Sequence, residues 1–231
     1  MIWASGPWKL ELVRMVTRCE ENYLQMGRMH NGTWWHDSAR SMQAEKAVFV
    51  SAFIVRKLSE SGQLSVQVED LKIDVTAYPL RSSDDVPDSL NWEEITEFYD
   101  LEQGKAEEVP IRHLMNWIIH SYVFLVEVRS DHAGSSSLSA FYCNSDRLRS
   151  NRVIRVPWDS FRDVLNRVAA DHVISAFMFR DGRGGEVQLR SAVPITDDIR
   201  SAFFRKHAKA VAEIGRNIAD VWPPHAPPSP E

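Results

Sequence analysis

The chain has 231 residues, 44% of them hydrophobic and 26% charged, which is the composition of an ordinary globular fold and excludes global disorder. A net charge of −5 excludes a uniformly basic surface, and no apolar run approaches the roughly 20 residues of a membrane span. Met1 to Lys9 lacks the basic-then-apolar pattern of a secretory signal. Cys19 and Cys143 fit neither a disulfide framework nor a metal-ligand spacing, so the expected setting is a reducing cytosol.

Leu12, Val16, Cys19, Tyr23 and Met26 recur at helical spacing, and Gly27 is placed to end that helix. After the loop from His30 to His36, Asp37 or Ser38 would cap a second helix running to about Ser59. That helix is apolar on most sides through Ala47, Val48, Phe49, Val50, Ala52, Phe53, Ile54 and Val55. Ser61-Gly62 stops it. From Gln63 the period becomes two: Leu64, Val66 and Val68, then Leu71, Ile73, Val75 and Ala77, predict two strands around a Glu69-Asp70 turn.

A polar loop over 81–91, a short acidic helix over 92–101 and a break over 104–108 are expected next. Pro110 opens a helix with the apolar stripe Ile111, Leu114, Met115, Ile118 and Ile119. Tyr122 to Val128 and Leu138 to Cys143 predict a hairpin, Val153 to Val156 a further strand, and Pro157-Trp158-Asp159 the start of a helix to about Ala170. Val173 to Phe179 and Glu186 to Arg190 flank Asp181-Gly182-Arg183-Gly184-Gly185. This Gly-rich segment reads as a hairpin turn, because a phosphate loop would need a following lysine and helix. A last helix is expected over about 197–220, followed by a proline-rich, disordered tail over 222–231.

The expected fold is therefore α+β: one domain over 1–221, with a helical N-terminal part (about 1–60), a mixed part (about 61–121) and a β-rich part (about 122–221) of mainly antiparallel strands. Charge is unevenly distributed. Residues 60–110 carry a net −11 and residues 147–216 a net +6. The expected explanation is solvated faces of separate elements, or the two regions facing each other within the fold; the alternatives are a contact between chains or a basic site for an anionic ligand.

Three residue groups are candidates for chemistry. Arg112, Asn116 and His120, at spacings of four, share one face of the Pro110 helix, where a cation, an amide and an imidazole would hold and deprotonate a ribose-phosphate without metal. The favoured expectation is structural, with His120 and Asn116 partly buried and bonding to neighbouring backbone where the helix meets the next strand. Asn116-Trp117-Ile118-Ile119-His120 resembles the latter part of the Arg-Asn-x3-His signature of HEPN-domain proteins. These are helical-bundle proteins of bacterial toxin and antiviral systems, many of them metal-independent ribonucleases. The resemblance implies His120 as base, with Arg112 or Asn116 holding the phosphate. The family's arginine directly precedes its asparagine, whereas Met115 stands there in this chain.

Arg147, Arg149, Arg152 and Arg155 form the densest cationic cluster. On a strand, Arg147, Arg149 and Arg155 would share a face able to bind RNA or an acidic protein. His30, His36 and Asp37 have no known zinc spacing and read as a loop, so neither metal nor cofactor is expected. Asn31-Gly32-Thr33 has the form of a glycosylation sequon, without meaning in a cytosolic chain. The leading expectation is a cytoplasmic, bacterial, non-catalytic binding or assembly module. It would contact a protein, a second copy or an anionic partner through a basic C-terminal surface and an acidic middle region, with RNA as a further ligand and no membrane. The alternative is a HEPN-like ribonuclease.

Overall fold

A computed structural model describes residues 4–26, 34–82, 85–130, 136–180 and 186–208, without side chains for 22–26, 34–40, 130, 136, 179, 180 and 186. The order of elements is α1 (Gly6–Met26), α2 (Trp34–Glu60), α3 (Val66–Glu69), β1 (Lys72–Pro79), α4 (Ile95–Phe98), β2 (Lys105–Pro110), α5 (Ile111–Ile119), β3 (Ser121–Ser130), β4 (Ser136–Ser145), β5 (Arg152–Pro157), α6 (Trp158–Ala170), β6 (Ser175–Arg180), β7 (Glu186–Ser191) and α7 (Asp197–Lys206). The chain forms two compact units, Met1–Asp171 and His172–Glu231. Its class is α+β.

In the first unit five antiparallel strands lie in the order β2-β1-β5-β4-β3. Alternation decides the faces. Ile73, Val75 and Ala77 of β1, with Phe141 and Cys143 of β4 and Ile154 and Val156 of β5, are buried in one core with α1, α2, α5 and α6. Phe141 sits at its centre, stacked on Phe124 at 5.5 Å and edge-on to Phe161 at 5.1 Å, while Phe124 meets Phe49 of α2 at 5.1 Å. This aromatic chain ties two helices to the sheet. On the opposite face a smaller cluster of Ile95, Phe98, Tyr99, Val123 and Val153 covers part of the sheet.

The helical spacing of Leu12, Val16 and Cys19 is the buried stripe of α1, with Met15 added. Gly62 ends α2 at φ 69°, a left-handed value that glycine adopts without strain, and Gln63 N–H donates to Leu58 O. Four expectations are corrected. Leu64 to Val68 is no strand: Val66–Glu69 winds one helical turn, with Ser65 as N-cap. The break at 104–108 is the edge strand β2, whose alternating burial was concealed by its charges. Only Ile95–Phe98 of the acidic stretch 92–101 is helical. Helix α2 starts at Trp34, ahead of the capping residues expected at Asp37 or Ser38.

The second unit pairs β6 with β7 and packs α7 against them, Phe177 meeting Phe204 edge-on at 5.8 Å. Thr196 caps α7 by accepting from Ile199 N–H. Gly27, the loop from His30 to Thr33, the turn 181–185 and everything after 208 lie outside the described residues.

Candidate functional site

Helix α5 carries the first candidate group. Ile111, Leu114, Met115 and Ile118 are buried against the core, which turns Arg112 and His120 to solvent and leaves Asn116 half-buried. His120 is the residue that ends the helix, its N–H donating to Asn116 O. Arg112 stands eight positions earlier, about 12 Å along the axis, so it does not share a cleft with the imidazole. The cation beside His120 comes instead from α2: Arg56 Nη1 lies 3.5 Å from His120 Nε2. Arg56 Nε also donates to Glu60 Oε1 at 2.7 Å. No sequence spacing pointed to Arg56, because the pairing is made by the packing of α2 on α5.

The arginine cluster is dispersed. Arg147 and Arg149 lie in the turn between β4 and β5, not on a strand. Arg149 stacks over the Tyr122 ring at 4.2 Å, donates to Pro87 O and pairs with Asp146 at 2.9 Å. Arg152 and Arg155 are three apart on β5 and so face opposite sides of the sheet. Arg152 pairs with Glu107 of β2 at 2.7 Å on the helix side, with its guanidinium 5.7 Å from the Trp117 ring. Arg155 forms a bidentate pair with Glu127 of β3, both bonds 2.7 Å, on the other side. Ser139 and Tyr142 hydroxyls also donate to Glu127. These bonds, the Arg155 pair foremost, hold the Glu127 carboxyl down at about 2. Arg147 is exposed and makes no ion pair among the described residues. The four therefore do not form one cationic stripe.

The acidic region behaves differently. Residues 82–104 contain eight carboxylates and no lysine or arginine. Among the described residues none of Asp85, Asp88, Glu93, Glu94, Glu97, Asp100 and Glu102 forms an ion pair, and all but the half-buried Asp100 are exposed. Ile95, Phe98 and Tyr99 anchor the segment to the sheet, so the carboxylates project from a fixed base. Within the segment Asp88 Oδ1 accepts from Leu90 N–H at 2.7 Å, and Leu90 is 93% exposed.

Other chemistry has less support. Burial pushes the thiols of Cys19 and Cys143 up to about 12, so both are inert core residues. Among the described residues no three His, Cys, Asp or Glu side chains are grouped to hold a metal; His30 lies outside them, and the side chains of His36 and Asp37 are not described. A notch of about 190 Å³ between Leu71–Asp74 and α6 is lined half by charged residues, Lys72, Asp74, Asp163 and Arg167. It is smaller than the roughly 300 Å³ of the smallest typical metabolite pockets. Among the described residues no helix is long and apolar enough to cross a membrane.

Compared with known protein families, curated proteins and solved structures, the chain finds no match.

Proposed function

We propose that the protein is a binding module without catalytic activity of its own, and that its docking surface is the acidic segment 85–104. The observation that carries this reading is the contrast in how charge is used. Arg149, Arg152 and Arg155 are held by Asp146, Glu107 and Glu127, whereas the carboxylates from Asp85 to Glu102 have no cationic partner among the described residues. Glu107 and Arg152 join the −11 and +6 regions within the first unit. What is left over is the acidic run from Asp85 to Glu102, with Arg147 the one member of the arginine cluster that makes no ion pair among the described residues. An unopposed negative segment with an exposed leucine fits a basic protein surface, or the basic part of a second copy, with Leu90 as an apolar anchor.

The ribonuclease reading keeps one supporting observation, an exposed imidazole beside a guanidinium. It has lost Arg112 as a partner of that imidazole.

Titration with a lysine-rich peptide and with a structured RNA separates the two. Binding of the peptide at low salt, weakened at 0.5 M salt and absent from a Glu93→Lys/Glu94→Lys/Glu97→Lys variant, supports the module. RNA binding or cleavage in EDTA without peptide binding overturns it.

A further inference from the structure

Lys9 is a lysine where an apolar residue belongs. It lies on the inner side of α1 and is only 4% exposed, while its neighbours Trp8 and Leu10 face out. Its Nζ donates to two main-chain carbonyls, Gln63 O at 3.3 Å and Asp171 O. The carboxylate of Asp171, itself 5% exposed, accepts from Ser65 N–H at 2.7 Å. Three segments distant in sequence therefore meet here: the start of α1, the connection from α2 to α3, and the end of α6. Asp171 is also the last residue of the first unit.

We infer that Lys9, Ser65 and Asp171 form a clasp that opens locally, freeing the end of α6 and the outgoing chain while the sheet stays folded. The Lys9 ammonium donates to two carbonyls and is drawn to the nearby Asp171 carboxylate, so it ties the clasp shut. One feature lowers the cost of opening. The Ser65 hydroxyl is fully buried and without a hydrogen-bond partner, and it gains one when water enters. A closed clasp that contains an unsatisfied hydroxyl sits nearer its open state than the surrounding core does. The inference is independent of the acidic segment, whose residues take no part in it.

Amide hydrogen exchange on the full chain tests it, with Ser65 and the last turn of α6 read against Phe141 and Ile154 in the sheet. Lys9→Met removes the tie and should speed exchange at the clasp about tenfold, leaving the sheet amides unchanged. Ser65→Ala removes the unsatisfied hydroxyl and should slow clasp exchange severalfold. That sign distinguishes a clasp from ordinary packing, and it holds as a test even where Lys9→Met folds poorly. Faster exchange in Ser65→Ala, or equal acceleration of clasp and sheet in Lys9→Met, overturns the inference.

Discussion

Arg155 and Glu127 clasp each other across a strand that belongs to neither: Arg155 is on β5, Glu127 on β3, and both side chains reach over β4 to form two bonds of 2.7 Å. Tyr142 and Ser139 of the intervening strand donate to the same carboxylate. This pair decides how a basic residue of the third quarter of the chain is spent. It joins strands and is not offered to a ligand.

Its pH dependence follows from the depressed carboxyl. Glu127 sits at about 2 when folded, against an ordinary value of about 4.3 in the unfolded chain. The folded state therefore binds fewer protons in this interval, and the stabilisation is present above about pH 4 and lost as pH falls towards 2. Allowing for partial exposure, about 2 kcal/mol is at stake. Denaturant unfolding of wild type and Glu127→Gln should differ by this amount at pH 6 and converge near pH 2.

Tyr99 and Asn144 make a second, buried polar junction. Tyr99 Oη donates to Arg149 O and accepts from Asn144 Nδ2, both at 2.8 Å, and Asn144 Oδ1 accepts from Val123 N–H. Burial pushes the Tyr99 phenol up to about 12, so it stays a donor throughout the usual pH range. Tyr99→Phe leaves the Arg149 carbonyl and the Asn144 amide each short of a partner. The expected cost is about 1–3 kcal/mol by thermal or chemical denaturation.

Gly104 has no room for a side chain. A Cβ there would stand 2.6 Å from Tyr78 Cε1 and 2.8 Å from Thr76 Cγ2, so the tyrosine ring must move off the sheet. Gly104→Ala should lower stability by about 1–3 kcal/mol, whereas Gly6→Ala, which meets nothing within 4 Å, should not lower it.

Much of the fold was legible in period and punctuation. The 3.6-residue stripe of α1, the alternation of Ile73, Val75 and Ala77, and the stop at Ser61-Gly62 each reflect one dominant local force. Where local and tertiary forces compete, the pattern misled. Val66 and Val68 alternate like a strand, but the backbone there closes a helical turn, Val68 and Glu69 N–H donating to Ser65 O. The edge strand β2 reads as a break because Lys105, Glu107 and Glu108 are the charges that keep an edge unattractive to other chains. The site was less legible still. Arg147, Arg149, Arg152 and Arg155 look like one cluster in sequence, yet a turn and the two faces of β5 separate them. Their partners Glu107 and Glu127 are far away in the chain. Glu127 did carry a signal, a single acid in an otherwise apolar strand at the alternating position of Val123 and Leu125.

His120 separates structure from catalysis. It is exposed, and the side-chain contact found for it is the long approach of Arg56. His120→Ala should therefore change stability by no more than about 0.5 kcal/mol. The binding-module account also expects no cleavage of structured RNA in EDTA by the wild type. Cleavage lost in the variant would restore the ribonuclease reading, with Arg56 in place of Arg112.

The proposed contact surface over residues 85–104 is tested by amide chemical-shift mapping. On titration of the full chain with a lysine-rich peptide at low salt, the largest shifts should fall between Asp85 and Glu102, include Leu90, and fade as salt shortens the screening length from about 10 Å at 0.1 M to about 3 Å at 1 M. Shifts centred instead on the β4–β5 turn around Arg147 and Arg149, or on α5 around His120, would contradict it.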